Sequence, residues 1–303
     1  MRPIATAAPV PRVILLYNVP ADDIGSWPDA CAEGCRFIRD PRRLLQADAV
    51  VFHVPTLPAG RPPPKRPGQT WVAYSMESDV NCPALADPAF MAAFDLTMTY
   101  RRDADVWSPY FGPRLAADLL RPPVAKTEPA PAVYFCRNSR DRSGRAHYVA
   151  ELMDHLAVDS YGPSLRNRPL PVEDRGRETK LTVIARYRFT LAFENSISPD
   201  YVTEKFFDPL LAGSVPVYLG APNVEQYAPG RRCVIRVSEF PGPAALAEHL
   251  QALAGDDAAY AELLAWKQEG LRPEFLALID RLRTPAPGRL CALLHARAAV
   301  RGA

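Results

Sequence analysis

Lysine is scarce in this 303-residue chain, confined to positions 65, 126, 180, 205 and 267, although lysine and arginine together number 36. Acidic side chains number 34, so the formal net charge is only +2, and no surplus of positive charge points to nucleic acid or an anionic membrane. Any anion site must be local. Long apolar runs are missing as well. In the N-terminal MRPIATAAPVPRVILLYNVP the longest is VILLY, strand-sized and well short of a signal-peptide core or a spanning helix. A soluble, unexported, cytoplasmic protein without a transmembrane segment is expected, with at most peripheral contact to a membrane. Of the six cysteines (31, 35, 82, 136, 233 and 291), only Cys31 and Cys35 lie close together, in CAEGC. A disulfide or metal knuckle would usually need a second close pair, so reduced, buried thiols are expected. The five histidines (53, 147, 155, 249 and 295) form no HExxH pattern, and no G-x-S-x-G is present for acyl chemistry. Neither GxGxxG nor GxxxxGK[ST] occurs, so side chains would have to hold any bound phosphate.

What is present is alternation. With 48% hydrophobic residues the chain has the material for one large α/β unit or two domains. RVILLYN (12–18), ADAVVFHV (47–54), TWVAYSM (70–76) and FDLTMTY (94–100) are short, β-branched or aromatic, and bounded by turn residues, which predicts buried strands. VPTLPAGRPPPKRPGQ (54–69) is too rich in proline for regular structure and predicts a surface loop. RPPVAKTEPAPA (121–132) carries four prolines and predicts a stiff, extended linker, placing an N-terminal domain at 1–125 and a C-terminal one at 126–303. Beyond it VYFCRN, LAVDSYG, FTLAF, SVPVYLG and CVIRVSEF repeat the alternation. The fold class expected is α/β, two Rossmann-like domains facing a central cleft.

The stretch AFENSISPDYVTEKFFDPLLAGSVPVYLG (192–220) concentrates charge between apolar runs. Glu194 and Asn195 follow the strand FTLAF, and ligands of open α/β sheets bind at the carboxyl ends of strands. Asp200 is the expected N-cap, VTEKFFDPLLAG the helix, Gly213 its stop, and Pro209 a kink within it. Glu204 and Lys205 would then occupy the first turn, where free N–H groups and a cation suit a phosphate.

The run RYRFTLAFENSISPDYVTEKFFDPLLAGSVPVYLG (186–220) closely resembles the signature of the α1,3/4-fucosyltransferases, glycosyltransferase family 10. WVAYSMES (71–78), MTYRRDADVWSPY (98–110) and SGRAHYVAELMDHLAVDSYG (143–162) resemble that family's other blocks, in the same order. The resemblance implies a GT-B fold and transfer of L-fucose from GDP-L-fucose to a sugar hydroxyl, O3 of GlcNAc in a glycan being the expected position, with inversion at the anomeric carbon. It assigns Glu77 as the base, Lys205 and Arg145 as the cations on the diphosphate, and Glu204 and Tyr201 as contacts to the fucose and ribose. Glu194 and Asn195 would shape the same pocket, with Tyr161 and Gly162 near the guanine. SDVN follows Glu77 where the family often has Ser-Pro, which marks a different acceptor contact. Arg140 and Arg142 are alternative cations to Arg145. A protein acceptor, another GDP-sugar, or an inactive glycan- or nucleotide-binding protein are the competing readings.

Asp103 and Asp105 form a D-x-D spacing that holds a divalent cation in sugar-nucleotide enzymes of other folds. Here the pair adjoins Arg101 and Arg102 and lies in the acceptor half, so no metal ligand is assigned and no cofactor is required beyond the donor substrate.

Overall fold

A computed structural model describes residues 12–301 apart from 22–26, 33 and 58–62. The chain divides into two units, the first taking the described residues up to Ser108 together with those from Thr284 onward, the second Pro109–Arg283. In the first unit β1 (Arg12–Leu16), β2 (Cys35–Ile38), β3 (Ala49–His53), β4 (Thr70–Ser75), β5 (Leu96–Thr99) and β6 (Val106–Trp107) form one sheet in the order β2-β1-β3-β4-β5-β6. Every pairing is parallel. β3 and β4 are buried along their whole length, which is why they read in the sequence as unbroken apolar runs rather than alternating ones.

The second unit repeats the plan. β7 (Ala132–Tyr134), β8 (Val158–Ser160), β9 (Phe189–Phe193), β10 (Val215–Leu219) and β11 (Ile235–Arg236) pair in parallel in the order β8-β7-β9-β10-β11. In each sheet the second strand flanks the first and the third lies on the first strand's other side. That doubly wound order puts a topological switch point between β7 and β9, where a ligand crevice opens at the carboxyl ends.

The unit boundary differs from the one expected at 125/126. The proline-rich stretch is extended, yet it lies against the second unit: Lys126 Nζ donates to Ala185 O at 2.7 Å and to Gly213 O at 2.6 Å. Burial pushes the Lys126 ammonium down to about 8. At the other end, helix Ala286–Arg301 belongs to the first unit. Leu290, Cys291 and Leu294 enter that unit's core beside Ile14, Trp27 and Cys35, while Arg297 donates to Asp95 O at 3.0 Å. An apolar stripe on a helix is buried against whichever sheet leaves space for it, and sequence order does not say which.

The cysteine expectation needs correcting. Cys31 and Cys291 form a disulfide across a separation of 260 residues, while Cys35, Cys82, Cys136 and Cys233 are outside any disulfide. The last helix carries position 291 onto the CAEGC turn, a proximity that spacing along the chain conceals. Of the expected loop 54–69, residues 58–62 lie outside those described, as does the N-terminal segment 1–11.

Candidate functional site

The helix that follows β9 begins later than expected. Asp200 takes a left-handed backbone (φ 65°), and its Oδ1 accepts from Asn223 Nδ2 and from the Tyr227 hydroxyl, each at 2.8 Å. It is therefore a loop anchor and not the helix cap. Thr203 caps instead, its hydroxyl accepting from the Lys205 N–H, and the helix runs Glu204–Ala212. Pro209 sits within it, and Gly213 ends it in the left-handed region (φ 71°). This sets Glu204 and Lys205 on the first turn.

Lys205 Nζ lies 3.0 Å from Glu204 Oε1 and 3.6 Å from Glu194 Oε2. Glu194 is fully buried, and its carboxylate accepts the Thr203 N–H and hydroxyl, each at 2.8 Å. Burial raises the Glu194 pKa, with Lys205 opposing. For Lys205 burial disfavours the charge, but the Glu194 and Glu204 carboxylates outweigh it and the pKa is raised. Burial likewise works against the Glu204 carboxylate, which Lys205 and Lys180 more than offset, so its pKa is lowered. The ammonium is held in place and charged.

Lys205 and Glu204 line a cavity of about 500 Å³ in the second unit, together with Arg145, Tyr161 and Gly162. Its wall is built from the residues after β7 (Phe135–Asn138), those after β8 (Tyr161–Pro163) and the helix Arg177–Ile184. Six cations line it (Arg137, Arg145, Arg166, Arg177, Lys180 and Lys205) against three carboxylates (Asp174, Glu204 and Asp208). A surplus of fixed positive charge in a concave site favours a polyanion. Gly162 is required by close approach: a Cβ there would stand 2.0 Å from the Cys136 carbonyl oxygen. The Tyr161 ring stacks on Phe135 at 5.0 Å, and its hydroxyl lies 2.7 Å from that of Tyr187.

Glu194, Asn195 and Tyr201 do not line this cavity. All three are buried; Asn195 O accepts from Arg142 N at 2.7 Å, and Tyr201 O accepts from the Tyr218 hydroxyl at 3.2 Å. Of the three, Glu194 backs the wall through Lys205. Arg145 does reach the cavity, but it is 1% exposed and donates to three backbone carbonyls: Phe193 at 3.1 Å, Asn138 at 2.7 Å and Arg140 at 3.0 Å. The start of its helix, Arg145–Met153, is not open to an anion as expected. Asp141 accepts the Arg145 and Ala146 N–H groups at 3.1 and 2.9 Å. Burial disfavours the Asp141 carboxylate, but those N–H donors outweigh it and its pKa is lowered.

Four of the lining cations, Arg137, Arg166, Arg177 and Lys180, were missed. Arg177 and Lys180, one helical turn apart, both reach Asp208: Arg177 NH2 to Oδ1 at 2.6 Å and Lys180 Nζ to Oδ2 at 2.9 Å. Asp208 is fully buried and lies in the same helix as Lys205. The i, i+3 spacing in RETK was a signal, though a weak one.

Glu77 belongs to the first unit, two residues past β4. Its N–H donates to Ser75 Oγ and its Oε2 accepts from Asn81 Nδ2, at 3.0 and 2.9 Å. The D-x-D pair is divided between partners. Asp103 is paired with Arg101, Nε to Oδ1 at 3.0 Å, and this hydrogen-bonded pairing lowers its pKa. Asp105 Oδ2 accepts from the Thr97 N–H and hydroxyl at 2.8 and 2.9 Å.

Comparison with known proteins agrees with this architecture. Residues 125–301 match glycosyltransferase family 10 (fucosyltransferase) C-term, and residues 10–111 match the fucosyltransferase N-terminal family. A 4-galactosyl-N-acetylglucosaminide 3-alpha-L-fucosyltransferase of Homo sapiens is 38% identical over 287 residues, covering 89% of this chain and 73% of that one. A 3-galactosyl-N-acetylglucosaminide 4-alpha-L-fucosyltransferase of Pongo pygmaeus is 39% identical over 251 residues, covering 79% of this chain and 64% of its own length. An alpha1,3-fucosyltransferase solved with GDP-fucose superposes with a TM-score of 0.59 at 17% identity, covering 94% of both chains, which is a likeness of fold. Among the described residues no helix is long and apolar enough to cross a membrane. The chain belongs to glycosyltransferase family 10, the fucosyltransferases.

Proposed function

We propose that this protein transfers L-fucose from GDP-L-fucose to a hydroxyl of a glycan acceptor, O3 of GlcNAc being the favoured position, with inversion at the anomeric carbon. The reading rests on one observation above all: within a family 10 chain, the cavity at the switch point of the second sheet gathers six cations around a glycine-walled approach. Such a cavity suits a nucleoside diphosphate.

In the transfer the acceptor oxygen forms its bond to the anomeric carbon as the bond from that carbon to the diphosphate breaks, its electron pair leaving with GDP. Glu77 takes the acceptor's hydroxyl proton. Lys205, Arg145, Arg177 and Lys180 compensate the charge that grows on the diphosphate. Glu204 meets the donor's hydroxyls, Tyr161 and Gly162 border the base, and Glu194, Asn195 and Tyr201 hold the wall. Charge compensation by side chains leaves no step that calls for a divalent ion. Relatives of 3- and 4-linkage resemble the chain equally well (38% and 39%), so linkage follows from acceptor contacts. A soluble, cytoplasmic enzyme of bacterial type, acting on a GlcNAc-containing glycan, completes the proposal.

The test is release of GDP from GDP-fucose with N-acetyllactosamine against a no-acceptor control. Acceptor-dependent release of GDP with a fucosylated product supports the reading, and no release with any GlcNAc-containing acceptor overturns it.

A further inference from the structure

The last helix brings new chemistry to the CAEGC turn. The Sγ atoms of Cys31, Cys35 and Cys291 lie within 4.8 Å of one another, and His295 Nε2 is 3.8 Å from Cys35 Sγ. Cys291 and His295 are four residues apart on helix Ala286–Arg301, so they project from the same side. The facing segment is a tight turn: Gly34 N–H donates to Cys31 O and Cys31 N–H to Cys35 O, each at 3.0 Å, with Gly34 at φ +84°. Cys35 and Cys291 are 2% and 0% exposed, while Cys31 and His295 are half-buried. Three sulfurs thus cluster together, with the His295 imidazole nitrogen beside that of Cys35, and the four residues are supplied as C-x3-C and C-x3-H.

We propose that in the reduced protein Cys31, Cys35, Cys291 and His295 hold a structural zinc ion. Tetrahedral zinc with Zn–S of about 2.3 Å separates its ligand atoms by roughly 3.8 Å, and the three sulfurs already lie within 4.8 Å of one another with His295 Nε2 at 3.8 Å from Cys35 Sγ. Three thiolates and one imidazole form a soft donor set that selects zinc over magnesium, calcium or manganese. The Cys31–Cys291 disulfide uses two of the three clustered sulfurs. Its opening by two equivalents of a small thiol yields two cysteine thiols and one small-molecule disulfide. Zinc then displaces the protons of the three thiols, and His295 adds the lone pair of a neutral ring nitrogen. The ion ties the C-terminal helix to the turn before β2. All four ligands lie in the first unit, whereas the cationic cavity is lined by the second.

The experiment uses the full chain, expressed with zinc and purified under a thiol reductant, and reads metal content by mass spectrometry. One zinc per chain that survives gel filtration is expected. Cys35→Ser and His295→Ala should each lose it, while Cys82→Ser, outside the cluster, should keep it. To keep the test independent of how the ligand variants fold, the wild-type chain is also reconstituted with Co²⁺. Intense visible d–d bands with a near-ultraviolet thiolate-to-cobalt band are expected. Folded, reduced wild-type protein that carries neither zinc nor the cobalt bands overturns the proposal. So does a Cys31–Cys291 disulfide that persists under reductant, or zinc content unchanged in both ligand variants.

Discussion

Glu194 accepts two hydrogen bonds from one residue, the N–H of Thr203 at Oε1 and its hydroxyl at Oε2, both at 2.8 Å. Thr203 is the cap of the helix that carries Lys205, so the buried carboxylate at the end of β9 fixes where that cation stands. Glu194→Ala would leave the Thr203 donors and the Lys205 charge without this partner. Removing one member of a buried charged pair costs roughly 3–5 kcal/mol, to be read as a lower urea midpoint with weakened GDP binding. An unchanged midpoint would show that the pair does not organise the helix start.

Gly162→Ala tests the close approach of the wall after β8. The added Cβ would meet the Cys136 carbonyl oxygen at 2.0 Å, and backbone cannot swing away as a side-chain end can. Overpacking of this kind costs about 1–3 kcal/mol. Calorimetry should show weaker GDP binding along with a lower Tm, and parental values for both would refute the contact.

Asp141 caps the start of helix Arg145–Met153, and its pKa lies below the ordinary carboxylate value. A carboxylate with a lowered folded pKa stabilises the fold above its unfolded pKa, and that stability is lost as pH falls through the folded value. Asp141→Ala should therefore cost about 1 kcal/mol near neutral pH, and the gap to the parent should narrow below about pH 4. Urea melts across that range measure it. A gap that widens in acid contradicts the assignment.

Much of this architecture was legible in the sequence because parallel strands buried on both faces announce themselves as apolar runs. β2 and β6 were not, being four and two residues long. CVIRVSEF yields only the two-residue β11, since Val237–Glu239 turns into a 3-10 helix. At the site, Lys205 and Glu204 were found through one contiguous motif, whereas Asp141 closing the Arg145 helix and Asp208 gathering Arg177 and Lys180 are tertiary pairings that no local pattern encodes. Cys291 and His295 are hidden for the same reason: their partners lie some 260 residues away.

Lys205→Ala should lower kcat/KM for GDP-fucose by the loss of a charge-assisted contact, roughly 1.5–3 kcal/mol, or about ten- to a hundredfold. If side chains supply the compensation, transfer should also continue in EDTA, assayed briefly at a temperature where the chain stays folded. Loss of activity in EDTA with recovery on adding Mn²⁺, abolished by Asp103→Asn or Asp105→Asn, would reassign the charge compensation to a metal.

The most direct test of the account is the transfer rate of Glu77→Gln with GDP-fucose and N-acetyllactosamine, measured beside its affinity for GDP. The substitution keeps the size and the acceptor oxygen of the side chain while removing the carboxylate that takes the proton. Transfer should fall by about 10² to 10⁴, the usual worth of a positioned base, with GDP affinity close to the parent's. Near-parental transfer would contradict the account, as would loss of GDP binding in its place.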